Sequence, residues 1–192
     1  LGIPNIEQLT TGVETALAGD FLKHFSAIKA DLTNALSPRK PNVEDILNQI
    51  RRIREITCEK SDRNYQDICG QSAKKLDKEI CTNIYNLILD KEKTVNLDIT
   101  KKFFAWLNIL NRDFAKEVFT TNYDLVIEKS LELSEIPYFD GFVGAYEPFF
   151  WQDSIDRIVN EGDLTQNWIR LWKIHGSLSW FWNEDSKTKT PK

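Results

Sequence analysis

Glu117-Val118-Phe119-Thr120-Thr121 is a short β-prone run, and it gives way at Asn122-Tyr123-Asp124 to Leu125 through Leu133, where apolar residues return at helical spacing. The three residues between form a tight strand-to-helix turn, half of a βαβ unit. Ile136-Pro137-Tyr138-Phe139 supplies a second extended piece, ending at Asp140-Gly141. Arg170-Leu171-Trp172-Lys173-Ile174 supplies a third, ahead of His175-Gly176-Ser177. Strands alternating with helices predict an α/β fold with a mostly parallel sheet covered on both faces.

Before Asp113 the pattern is helical throughout. From Thr10 to Ala35, Val13, Leu17, Phe21, Leu22, Phe25, Ile28 and Leu32 recur at intervals of three and four, and Gly19 splits the run into two helices. Ser37 to Pro41 breaks the pattern. Asn42 then caps a new helix whose first turn carries Glu44 and Asp45 and whose buried face holds Val43, Ile46, Leu47, Ile50 and Ile53. A third stretch, Asp62 to Leu89, places Tyr65, Ile68, Cys69, Leu76, Ile80, Leu87 and Ile88 on one stripe, which makes Cys69 and Cys81 core thiols. A further helix from Ile99 to Leu110 holds Phe103, Phe104, Trp106 and Leu107, too crowded to be only half buried. Asn183 to Lys192 reads as a polar tail.

Composition bounds the function. The 192 residues suit one domain, or one domain with a helical insertion, and 41% hydrophobic residues with eight glycines describe a packed globule. Twenty-nine acidic against 25 basic residues give a net charge of -4, with the two signs interspersed, which argues against a general hold on nucleic acid. The densest basic stretch, Arg51-Arg52-Ile53-Arg54, sits beside Glu55 and Glu59 and reads as a solvated helix face. Cys58, Cys69 and Cys81 match neither the paired spacing of a zinc module nor an even disulfide set, so reduced cytosolic thiols and no metal are expected. No run of about 18 apolar residues and no charged-then-apolar leader is present, so the expectation is a soluble, cytoplasmic protein. The absence of methionine leads to the expectation of an internal piece of a longer chain, or of a chain lacking residues at its ends or at internal gaps.

In open parallel sheets, ligands bind beyond the carboxyl ends of the strands, where loops diverge and helix amino termini turn their N–H groups inward. Asn122 directly follows one strand and His175 another. Each also has a plainer reading: Asn122 as the cap of the helix that begins near Asp124, His175 as a turn histidine bonded to a backbone carbonyl. His24, inside a helical pattern, reads as structural, and the tryptophans as core or rim residues.

Phe119-Thr120-Thr121-Asn122-Tyr123-Asp124 resembles the sirtuin segment that carries an asparagine facing the nicotinamide ribose. Leu171-Trp172-Lys173-Ile174-His175-Gly176-Ser177 is similar to the strand and histidine-glycine turn of the sirtuin catalytic base. Leu1-Gly2-Ile3-Pro4-Asn5 resembles the tail of the family's glycine-rich nucleotide loop, without the Gly-Ala-Gly portion before it and with Asn5 where sirtuins have aspartate. Pro41 to Leu47 and Ile136-Pro137-Tyr138 resemble the sirtuin-like domains of bacterial antiphage defence proteins. The paired cysteines of the deacetylase zinc module and the strands that complete the adenosine pocket have no counterpart.

The resemblance implies a Rossmann-like parallel sheet with a large helical insertion from about 37 to 111, in one sirtuin-like domain over 1–192 that is itself incomplete. It implies an NAD glycohydrolase that splits NAD into nicotinamide and ADP-ribose as an antiphage effector. Asn122 and His175 would then be catalytic, and Gly2, Ile3, Pro4, Asn5, Thr121, Asp124, Gly176 and Ser177 would surround the bound NAD. It also implies a homo-oligomer working with a second defence protein or a fused domain such as an ATPase, nuclease or sensor. The rivals are a non-catalytic sensor of NAD or ADP-ribose that regulates an attached effector, and a helical interaction module on a sirtuin-like scaffold.

Overall fold

The computed structural model describes residues 2–110, 116–153, 168–183 and 188–191; Leu1, Asp113 and the expected end of the insertion at Asn111 lie outside them. Two compact units emerge, Gly2–Lys93 and Thr94–Lys192.

The first unit is helical, with α1 (Ile6–Ala16), α2 (Gly19–Ala35), α3 (Val43–Thr57), a two-stranded hairpin of β1 (Asn64–Tyr65) and β2 (Ile68–Cys69), and α4 (Gly70–Glu92). Gly19, at φ 57, separates α1 from α2 as the sequence requires. Asn42 caps α3: its Oδ1 accepts from the Glu44 and Asp45 amides, and Asp45 Oδ2 accepts the Asn42 N–H at 2.9 Å. The predicted apolar face of α3, Val43, Ile46, Leu47, Ile50 and Ile53, is buried. α4 begins tight against the end of α3, because a Cβ on Gly70 would come within 2.4 Å of Thr57 Oγ1 and 2.7 Å of the Lys60 backbone nitrogen.

Three expectations for this region are corrected. The stretch from Asp62 is not one helix, because Gln66 and Asp67 turn at φ 49 and 61 and fold Asn64–Cys69 into the antiparallel hairpin. Cys69 ends that hairpin, only partly buried, with its sulfur accepting the Ser72 amide at the start of α4, while Cys58 and Cys81 are exposed. Arg54 does not simply face water. It pairs with Asp77 of α4 and with Glu59, and Asp77 also meets Arg51 at 3.5 Å.

The second unit comprises α5 (Asp98–Ile109), β3 (Lys116–Thr120), α6 (Val126–Glu132), β4 (Tyr138–Phe139), β5 (Phe142–Val143), β6 (Phe149–Phe150), β7 (Ile169–Lys173), β8 (Trp180–Asn183) and β9 (Thr188–Pro191). β3, β7 and β4 form a sheet in that order, and both pairings are parallel. The arrangement is mixed α/β and compatible with a Rossmann-like fold.

Ile169, Leu171 and Lys173 alternate along β7 as buried residues, and Ile169 packs with Phe104 of α5, Leu131 of α6 and Ile136. The other face is more open: Phe119 is 61% exposed, so the expectation of full cover on both faces fails at β3. The aromatic crowding of α5 likewise misleads. Phe104 is buried, but Phe103 and Trp106 are about half exposed, their rings 5.8 Å apart. The supposed polar tail also contributes a strand, β9, which pairs with β8.

Candidate functional site

Parallel pairing sets Thr120, the last residue of β3, directly beside Lys173, the last of β7. Asn122 lies two residues beyond the first end and His175 two beyond the second, so both fall at the carboxyl edge of adjacent strands, in matching register. The two turns are joined by their own atoms. The Ile174 N–H donates to the Thr120 carbonyl at 3.0 Å, and the Leu178 N–H donates to the Tyr123 carbonyl at 2.9 Å. The His175 ring stands 6.2 Å from the Tyr123 ring, centroid to centroid, inclined by 39°.

Local chemistry shapes each turn. The Asn122 amide donates to Thr120 Oγ1 at 3.1 Å, while Asp124 Oδ1 accepts the Val126 amide at the start of α6. No side chain caps α6, whose N-cap is Leu125; Asp124 instead closes a local turn onto Val126, and the Asn122 side chain is exposed at the edge. Beyond β7, the Gly176 N–H closes onto the Lys173 carbonyl at 3.1 Å, with Gly176 at φ 104, in the left-handed region that glycine tolerates. Ser177 and Ser179 hydroxyls pair at 3.0 Å. His175 is exposed beside them.

Thr121, Asn122, His175, Gly176 and Ser177 thus share one edge. Asp124 sits beneath, 5% exposed and committed to α6. Gly2, Ile3, Pro4 and Asn5 belong to the helical unit, where Asn5 caps α1 in a reciprocal pair with Gln8. An apolar groove lined by Glu132, Glu135, Ile136, Pro137, Tyr138 and Trp168 opens at the amino ends of β4 and β7, the opposite edge of the sheet.

Three charged residues near the site escape a reading of the sequence. Lys173 Nζ meets Glu128 Oε1 at 2.9 Å under almost complete burial and donates to the Asp124 carbonyl. Burial pushes the Glu128 carboxyl above its ordinary range, with the Lys173 ammonium opposing. Asp140, at the carboxyl end of β4, is also raised by burial, while its Oδ1 accepts the Phe142 amide at 3.1 Å. One signal was available: a lysine at the third place of the alternation Ile169, Leu171, Lys173 breaks an apolar stripe. Among the described residues, no group of three histidine, cysteine, aspartate or glutamate side chains gathers to hold a metal ion.

Residues 116–188 match the family of the SIR2-like domain. The match covers β3 through the first residue of β9, including both turns of the site, and points the chain to NAD-related function. No curated protein matches the chain.

Proposed function

We propose, on the premise of that SIR2-like match over residues 116–188, that the protein cleaves the bond between nicotinamide and ribose in NAD by hydrolysis. What carries this reading is the in-register parallel pairing of β3 with β7, which brings Asn122 and His175 to neighbouring turns at the carboxyl edge. Two exposed polar side chains on adjacent strand ends can address one ribose from one side.

The glycosidic bond breaks through a transition state with positive charge on the ribose, so the enzyme's task is to position that ring and deliver an oxygen nucleophile to its anomeric carbon. Water attacks that carbon as the bond to the nicotinamide nitrogen breaks. Neutral nicotinamide leaves with the bonding electron pair, and the water proton passes to the unprotonated nitrogen of His175. The Asn122 amide orients the ribose hydroxyls or the attacking water. Thr121, Gly176 and Ser177 flank this centre, and Asp124 supports it from below by fixing the start of α6. The assignment of the whole chain to one domain with an inserted helical segment belongs to the proposal.

In the cell, on this reading, the enzyme depletes NAD as a defence effector, in an oligomer with a second protein or fused domain. Incubating the intact protein with NAD and measuring free nicotinamide and ADP-ribose tests the activity. Stoichiometric formation of both is expected; NAD that raises the melting temperature yet stays intact would make the protein a sensor.

A further inference from the structure

Along β7, Ile169, Leu171 and Lys173 are buried in turn, and the last of them brings an ammonium where the alternation calls for an apolar side chain. The Lys173 side chain is 1% exposed and that of Glu128 11%, with 2.9 Å between Nζ and Oε1. The other carboxylate oxygen, Glu128 Oε2, is buried without a hydrogen-bond partner. Such a pair is a poor device for stability, since desolvating two charges commonly costs as much as their attraction returns, and apolar residues of similar size often do as well or better.

Its position suggests what it does instead. Lys173 precedes His175 by two residues, Asp124 follows Asn122 by two, and Glu128 lies in the first turn of α6, whose first amide, that of Val126, donates to Asp124 Oδ1. One ammonium therefore grips the Asn122 turn through the Asp124 carbonyl and α6 through Glu128, from the base of the His175 turn. We propose that Lys173 and Glu128 are positioning residues that hold the Asn122 and His175 turns in register with each other. The catalytic part of this inference rests on the function proposed above; the structural part does not.

The test is the double variant Glu128→Leu/Lys173→Met, examined in the intact protein by hydrogen exchange, melting and NAD turnover. The amides of Ile174 and Leu178, whose bonds cross between the turns, should exchange about tenfold faster or more, while Val118 and Leu171 inside the strands and the melting temperature stay close to wild type. Nicotinamide release should lose about tenfold in kcat with KM nearly unchanged, the mark of misalignment rather than lost binding. Unchanged exchange at Ile174 and Leu178 overturns the proposal, whether or not the protein cleaves NAD. A wild type that releases no nicotinamide overturns the function and leaves the exchange result to decide the positioning role. Should the double variant not fold, Glu128→Asp decides: it keeps the charge but draws the carboxylate back by one methylene. Local acceleration at Ile174 and Leu178 supports the clamp, and none overturns it.

Discussion

Asp45 shows how much a single side chain is asked to do. Its carboxylate accepts the Asn42 N–H in the α3 capping box and takes two bonds from the Arg39 guanidinium, at 2.8 and 2.9 Å. The hydrogen bonding to Arg39, foremost, holds its pKa below the ordinary aspartate value. A carboxyl depressed in the folded state contributes stability above its unfolded pKa and loses it as pH falls through the folded one. Asp45→Asn keeps an oxygen for the Asn42 amide but removes the charge, so its melting temperature should fall less steeply than that of wild type between about pH 5 and about pH 2. Parallel curves would contradict the depressed pKa. At the same scale, the placement of Asn122 and His175 just beyond strand ends was legible because polar residues directly after β-prone runs stand out in sequence. Lys173 and Glu128 were not, because 45 positions separate them in the chain and only the packing of α6 on β7 makes them a pair.

Elements were read well where one periodicity ruled and poorly where a turn or a tertiary contact intervened. α1, α2, α3 and the three parallel strands follow their apolar patterns closely. The hairpin Asn64–Cys69 was hidden because its apolar residues also fit a helical stripe, and only the left-handed turn at Gln66 and Asp67 breaks it. The crowding of α5 suggests more than half burial, and Phe103 and Trp106 depart from it because aromatic content says nothing of which face meets the core. α6 is the element the site depends on most, since its start fixes the Asn122 turn and its Leu131 is fully buried with Phe104, Ile136 and Ile169. Leu131→Ala should therefore cost about 2–5 kcal/mol in denaturant unfolding, through lost transfer energy and a residual cavity. A loss below about 1 kcal/mol would mean that α6 is not anchored as described.

At the scale of the molecule, the chain pairs a helical unit with an α/β unit that carries the site, and no described helix is long and apolar enough to cross a membrane. The three cysteines are placed in α4, at its cap and at the end of α3, and not in paired knuckles. Purified protein should accordingly contain no stoichiometric zinc by elemental analysis, and one zinc per chain would contradict that. The central claim is that Asn122 and His175, brought together by parallel β3 and β7, form one reaction centre. Steady-state NAD cleavage by wild type, Asn122→Ala, His175→Ala and the double variant tests it most directly. Each single change should lower turnover on the order of a hundredfold or more, and the double variant should be scarcely worse than the worse single one, because both groups serve one step. All variants should keep the wild-type melting temperature closely, as both side chains are exposed. Near-normal NAD cleavage by the folded double variant would contradict the account and move the active site elsewhere.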